Sequence, residues 1–157
     1  MDNPVARRRS SFQILAFLLA LPACAVHAQP ASTIPAAALI QPEALHQELQ
    51  VNPRAYLILQ VGSRMLFDQA HIPGAEYAGP ASSSAGLDTL RARVQRLPRT
   101  QSILLYCGCC PWSHCPNIAP AWALLHSLGF SQTRVLYIAN NFGADWVAHG
   151  YAVDRSQ

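Results

Sequence analysis

Residues 104 to 117, LLYCGCCPWSHCPN, hold four cysteines within nine positions, namely Cys107, Cys109, Cys110 and Cys115. A disulfide scaffold distributes its cysteines along the chain so that each bond joins distant segments, whereas here one loop holds them all. Thiols this close together can act as nucleophiles, exchange disulfides or bind a soft metal ion. The cluster therefore predicts a functional site rather than an architectural one.

The elements on either side of the loop determine where these thiols lie. Residues 102–106, SILLY, form an apolar run typical of a buried strand, and 118–128 is predicted as a helix that Gly129 ends. Cys107 directly follows the strand, and Asn117 is the predicted N-cap of the helix. Since backbone N–H groups at a helix start favour a thiolate, Cys107 is the predicted reactive thiol.

Strands and helices alternate along the rest of the chain. The patterns predict further strands at 55–61 and 134–138, and further helices at 42–50, 87–97 and 143–149. Such alternation is typical of an α/β domain whose parallel sheet is covered by helices on both faces. Ligands of these sheets bind at the carboxyl ends of the strands, which is the position predicted for Cys107.

The beginning of the sequence predicts export to the periplasm or beyond the cell. Three arginines at 7–9 precede an apolar run that ends in Val26-His27-Ala28, typical of a secretory signal peptide cleaved after Ala28. The run is too short for a membrane span. Lipid attachment at Cys24 is the less favoured alternative.

The remaining sequence divides into a linker and one domain. Residues 29–41 are rich in Ala, Pro and Ser and are predicted as the linker, and 42–157 as the domain. From Gln29 onward there are eight arginines, no lysine and seven carboxylates, a net charge of +1. This balance predicts no nucleic-acid partner, and the mature chain is expected to have no membrane span.

Several longer motifs resemble the rhodanese-like domain family. LILQVGSRMLFDQAHIPGAEYAGP resembles the family's early segment, YC after a buried strand resembles the start of its active-site loop, and LLHSLGF and VLYIANNFGADWVAHGYAV resemble later segments. The resemblance extends from about residue 42 to 153. It implies a single domain with a five-stranded parallel sheet, a sulfurtransferase activity without a cofactor, and a persulfide carried on Cys107.

The sequence departs from the family pattern around the expected site. Gln60, Val61 and Gly62 stand where the family usually has Asp-Val-Arg, so a buried charge pair is expected to be missing. The loop 108–117 is longer than the family's and contains no arginine or lysine. This loss weakens thiosulfate, a dianion, as the expected sulfur donor.

The longer loop adds three thiols, which favours thiol chemistry. Cys107 and Cys110 form a C-x-x-C, so Cys110 is predicted as a second catalytic residue, with Cys109 and Cys115 as resolving or redox thiols. Bonds between Cys107 and Cys110 or between Cys110 and Cys115 are both plausible. The residues predicted to support the loop are Gly108, Trp112, His114 and Asn117.

Three functions remain open from the sequence. Sulfur transfer through a Cys107 persulfide, from a small sulfur donor or to a thiol protein partner, is our prediction. Thiol–disulfide exchange through Cys107, Cys110 and Cys115 is the first alternative. Binding of Cu(I) or zinc is the second; zinc sites usually take ligand pairs from separate segments, and Cu(I) demands less of the geometry. We predict no resident metal.

Overall fold

The computed structural model describes residues 34–156. The predicted signal peptide, including Cys24, and the predicted linker up to residue 33 lie outside the described residues. Within 34–156, no helix has the length and apolar character needed to cross a bilayer.

One parallel sheet forms the centre of the described chain. Its five strands lie in the order β1-β5-β4-β2-β3, and helices lie on both faces, as predicted. In chain order the elements are β1 (Leu39–Ile40), α1 (Pro42–Val51), β2 (Leu57–Gln60), α2 (Arg64–Gln69), β3 (Glu76–Tyr77), α3 (Ser84–Val94), β4 (Ile103–Tyr106), α4 (Ile118–Ser127), β5 (Thr133–Leu136) and α5 (Phe142–Asp145). Short 3₁₀ turns occur at Ala36–Ala38, Trp112–His114 and Val147–His149.

Strand β4 is buried along its whole length, and its side chains alternate between the two faces of the sheet. Ile103 and Leu105 belong to the core beneath α3 and α4. Leu104 and Tyr106 belong to the core on the opposite face, against α1 and α5. Cys107 continues the alternation and lies in the first core, so its side chain is on the α4 side.

The two edge strands are too short for sequence analysis to detect. Leu39–Ile40, which falls in the predicted linker, pairs with β5, and Glu76–Tyr77 pairs with β2. A two-residue strand shows no alternation of its own, so its pairing partner defines it. The predicted last helix, 143–149, is instead divided at Trp146, where the backbone leaves the helical region and the buried indole N–H donates to the Ala152 carbonyl at 2.9 Å.

A buried amide joins the ends of β2 and β4. Gln60 is 2% exposed. Its Nε2 donates to the carbonyl oxygen of Cys107 at 3.0 Å, and its Oε1 accepts from the backbone N–H of Gly62 at 3.2 Å. Because one amide both donates and accepts, the strand end that carries Cys107 is fixed without a buried charge.

Replacing Gln60 with glutamate tests this interaction. A carboxylate of the same size can only accept, so it would face the Cys107 carbonyl without a hydrogen bond. We expect Gln60→Glu to lower the free energy of unfolding at neutral pH by about 2 kcal/mol, measured by denaturant unfolding. Gln69→Glu makes the same change on an exposed side chain and should cost less than about 0.5 kcal/mol. Equal losses in the two variants would contradict the role of Gln60.

Candidate functional site

Three cysteine sulfurs meet at the carboxyl end of β4. Cys107 is 3% exposed, and its Sγ lies 3.1 Å from that of Cys109. Cys109 Sγ in turn lies 3.4 Å from Cys110 Sγ, and the three sulfurs are all within 4.8 Å of one another. All four cysteines of the described residues are free thiols. The sequence favoured Cys107 and Cys110 as the working pair, whereas the structure brings Cys109 into direct contact with Cys107.

Gly108 makes the approach of the flanking cysteines possible. Its φ of +78° lies in the left-handed region that glycine adopts without strain. A Cβ at this position would lie 2.8 Å from Cβ of Phe142, too close for a side chain. The Gly108 carbonyl accepts from the Phe142 N–H at 3.0 Å, which fixes the turn between Cys107 and Cys109. Gly108 therefore supports the loop through its backbone.

Asn117 occupies the N-cap position of α4 predicted from the sequence, but its side chain does not cap the helix. It precedes the helix, but its side chain is buried and turned towards the cysteines. Its Nδ2 donates to Cys107 Sγ at 3.3 Å and lies 3.9 Å from Cys109 Sγ, while its Oδ1 accepts from the Ser82 N–H at 2.9 Å. The side chain thus orients the two sulfurs, and these partners are distant in sequence, so no local pattern reveals them.

The sequence predicted that the N–H groups at the start of α4 would favour a thiolate on Cys107. In the structure they help to lower the pKa of Cys115 instead. A hydrogen bond from the Cys107 thiol, together with the backbone N–H groups of Asn117 and Ile118, lowers the pKa of Cys115 to about 6. The hydrogen bond to Cys115 and burial raise the pKa of Cys107 well above its ordinary value. These opposite shifts favour the thiolate on Cys115 and the protonated thiol on Cys107.

Cys110 and Trp112 lie close to Cys107 and Cys115. Burial, followed by a hydrogen bond with Cys109, raises the pKa of Cys110 to about 12, so Cys110 is a neutral thiol. The half-buried Trp112 lines a small cavity together with Cys107, Cys110 and Cys115. Its ring contacts that of Tyr137 at a centroid distance of 5.1 Å. Trp112 thus forms one wall of this cavity.

His114 is not brought to the sulfurs. It is exposed, and its Nδ1 forms a hydrogen bond with Ser113 Oγ at 2.8 Å. The spacing of the sulfurs of Cys107, Cys109 and Cys110 is compatible with a soft ion such as Cu(I). A tetrahedral zinc site needs a further ligand, which His114 does not supply in this position.

A pocket of about 340 Å³ opens over Cys107 and Cys109. Its walls come mainly from α2, α5 and the ends of β2 and β4, and the sequence did not connect α2 and α5 with the site. Besides the two cysteines, the lining side chains are apolar, amide or phenol groups, and none is charged: Gln60, Leu66, Gln69, Ala70, Tyr106, Asn141, Phe142 and Val147, with Gly108 and Gly143 contributing backbone. The thiol site is therefore reached through an uncharged pocket.

Several solved structures share this architecture. The rhodanese-like domain of the Alr3790 protein from Anabaena sp is 24% identical, with a TM-score of 0.56, and the match covers 75% of this chain and 79% of that chain. The BH2092 protein from Bacillus halodurans is 16% identical, with a TM-score of 0.54 and coverage of 74% and 76%. The single-domain sulfurtransferase RDL2 of Saccharomyces cerevisiae is 15% identical, with a TM-score of 0.53 and coverage of 76% and 94%.

This chain has the rhodanese-like fold. No family model and no curated protein matches the sequence. The rhodanese-like fold predicted from the motifs is confirmed, and within it Cys107 directly follows the central strand, β4.

The charge on Cys115 predicts a pH-dependent reactivity. The thiolate is the form that reacts with iodoacetamide. Alkylation of Cys115, assigned by tandem mass spectrometry, should therefore reach half its maximal rate near pH 6 and fall as the pH is lowered further. Cys107→Ala removes the main hydrogen bond to the Cys115 thiolate and should move this midpoint upwards. A midpoint near the ordinary cysteine value of about 8.5, unaffected by Cys107→Ala, would contradict the assignment.

Proposed function

We propose that the protein is a sulfurtransferase in which Cys107 carries the transferred sulfur as a persulfide. One observation supports this above all: Cys107 directly follows the central strand of a rhodanese-like fold and lines the pocket of about 340 Å³. A sulfur donor that enters the pocket would reach the Cys107 sulfur and leave by the same opening.

Nucleophilic attack by Cys107 needs a base to take its thiol proton, and the lowered pKa of the neighbouring Cys115 favours the thiolate that would serve as this base. Cys107 Sγ attacks the outer sulfur of a hydropersulfide donor, R–S–SH, while the Cys115 thiolate takes the Cys107 proton. The bond between the two donor sulfurs breaks, R–S⁻ leaves and takes up a proton, and Cys107 becomes Cys107–S–SH. Sulfur moves from one thiol to another without net oxidation. The Asn117 amide orients Cys107 Sγ through its hydrogen bond of 3.3 Å.

The pocket favours a neutral donor. A thiosulfate dianion would lose its hydration among side chains that offer no cation, whereas the neutral form of an organic hydropersulfide would not. We therefore propose organic hydropersulfides as the donor class and a thiol compound or thiol protein as the acceptor.

Thiol–disulfide exchange is a second candidate function. The observation that favours it is the contact of 3.1 Å between Cys107 and Cys109 Sγ, next to the low-pKa Cys115. A dithiol of this kind could cycle with a disulfide of a partner protein without any sulfur donor.

We further propose that the protein works after export, in the periplasm or outside the cell. The support comes from the sequence alone: Arg7 to Arg9, the apolar run and Ala28. Intact mass of the protein isolated from its native host tests this proposal, because cleavage after Ala28 removes a defined mass, and lipidation at Cys24 adds one.

Replacement of Cys107 tests the central proposal. After incubation with an alkyl hydropersulfide, the protein should gain about 32 Da, one sulfur atom, at Cys107. Cys107→Ser should show no gain and should lose sulfur transfer to a thiol acceptor, because a serine hydroxyl forms no persulfide. Transfer that persists in Cys107→Ser would contradict the proposal, and a cycle of disulfide formation with no added sulfur would favour thiol exchange instead.

A cation introduced into the pocket tests the donor class. Gln69→Arg places a guanidinium at the exposed wall of the pocket, where it can bind an anionic donor. We expect kcat/KM with thiosulfate to rise about tenfold over the wild-type protein, while Gln69→Met, a neutral side chain of similar size, should give no such rise. Wild-type protein that already prefers thiosulfate over an alkyl hydropersulfide would contradict the neutral donor class.

A further inference from the structure

We propose that Cys109 attacks the persulfide on Cys107, releases the bound sulfur as sulfide and leaves a Cys107–Cys109 disulfide. The protein would then have a second activity, reduction of a persulfide to sulfide, in competition with transfer to an external acceptor. This inference rests on the proposed persulfide at Cys107.

The two sulfurs are already arranged for this bond. They lie 3.1 Å apart, which is about 1 Å longer than a disulfide bond. This separation is shorter than that of two sulfurs in van der Waals contact. Gly108, with its positive φ, holds the turn between the two cysteines. The Asn117 amide lies within 3.9 Å of both sulfurs, so one side chain orients the attacking and the attacked atom.

Because Cys107 is buried, the two sulfurs of its persulfide differ in how easily an external thiol can reach them. Cys107 is 3% exposed, its Sγ is contacted by Cys109 and Asn117, and Cys115 lies on the side of the small cavity that it shares with Cys107. An external thiol that enters the pocket would meet the outer sulfur, and attack there transfers that sulfur. The inner sulfur, Cys107 Sγ, is reached from within the loop, and a nucleophile already in contact has a high effective concentration. Attack by Cys109 is therefore attack at the inner sulfur.

The step balances without any further reagent. A bond forms between Cys109 Sγ and Cys107 Sγ, the bond from Cys107 Sγ to the outer sulfur breaks, and the outer sulfur leaves as HS⁻ with the Cys109 proton available to it. The outer sulfur gains two electrons, and the two thiols lose two as they become a disulfide. A dithiol reductant from outside must then reduce the disulfide before the next cycle, and the half-buried Cys109, which lines the pocket, is the sulfur it would reach.

Cys110 is the matched control for Cys109. It is the adjacent residue, its sulfur lies 3.4 Å from that of Cys109, and its replacement leaves the Cys107–Cys109 pair in place. Since Cys110 and Cys109 are neighbours in one loop, Cys110→Ser and Cys109→Ser alter the loop to a similar extent but differ in whether the proposed bond can form.

The experiment follows one turnover without oxygen or added thiol. Wild-type protein receives one equivalent of an alkyl hydropersulfide, and intact mass and free sulfide are measured over time. The mass should rise by about 32 Da and then fall to about 2 Da below that of the reduced protein, with one sulfide released per chain. Cys109→Ser should stop at the gain of about 32 Da and release sulfide at least about tenfold more slowly, whereas Cys110→Ser should reach the disulfide.

The outcomes separate this inference from the proposed function. The gain of one sulfur in Cys109→Ser shows that this variant is folded and competent for the first step. Wild-type protein that keeps the added sulfur, or Cys109→Ser that releases sulfide at the wild-type rate, would overturn the inference and leave sulfur transfer intact. Absence of both the added sulfur and the disulfide in every variant would contradict the proposed function, and the sulfide-releasing step would fail with it.

Discussion

The site depends on the lack of space around Cys107. A Cβ at Gly62 would lie 2.9 Å from both the carbonyl oxygen and the Sγ of Cys107, so no larger residue fits there without moving the end of β4. Gly62 and Gln60 stand where the rhodanese-like pattern usually has an arginine and an aspartate, and the sequence predicted that the buried charge pair is missing. Glycine instead allows the Cys107 sulfur to lie against the backbone that follows β2. The neutral Gln60 donates to the Cys107 carbonyl and accepts from the Gly62 N–H.

Neutral side chains consequently hold Cys107 in place. Two buried amides, Gln60 and Asn117, hold the backbone and the sulfur of Cys107, and both donate and accept, so neither leaves a charge to be compensated. The lowered pKa of Cys115 favours its thiolate, which the backbone N–H groups at the start of α4 stabilise together with the Cys107 thiol. The favoured thiolate and the proposed nucleophile are thus two different cysteines.

Sequence patterns predicted the sheet and the place of Cys107 because both depend on local features. A continuous apolar run marks β4, and the cysteine follows it directly. The contacts among the sulfurs were not predictable in the same way, since they depend on the φ of Gly108 and on the direction in which the loop returns through the 3₁₀ turn at Trp112–His114. That return brings Cys115, not Cys107, to the start of α4. The side chain of Asn117 fits an N-cap by residue type, but the buried sulfurs and Ser82 are its partners.

The sequence separation of the two contacting sulfurs also affects how the protein tolerates oxidation. Cys107 and Cys109 are separated by one residue, so a bond between them closes a very small ring and restricts the unfolded chain far less than a bond that spans a long segment. Formation or loss of such a bond would therefore change the folding equilibrium less than a disulfide between distant segments would. If the proposed bond forms and breaks during turnover, the sheet and its two cores would be affected less than by a bond that joins two elements of the fold.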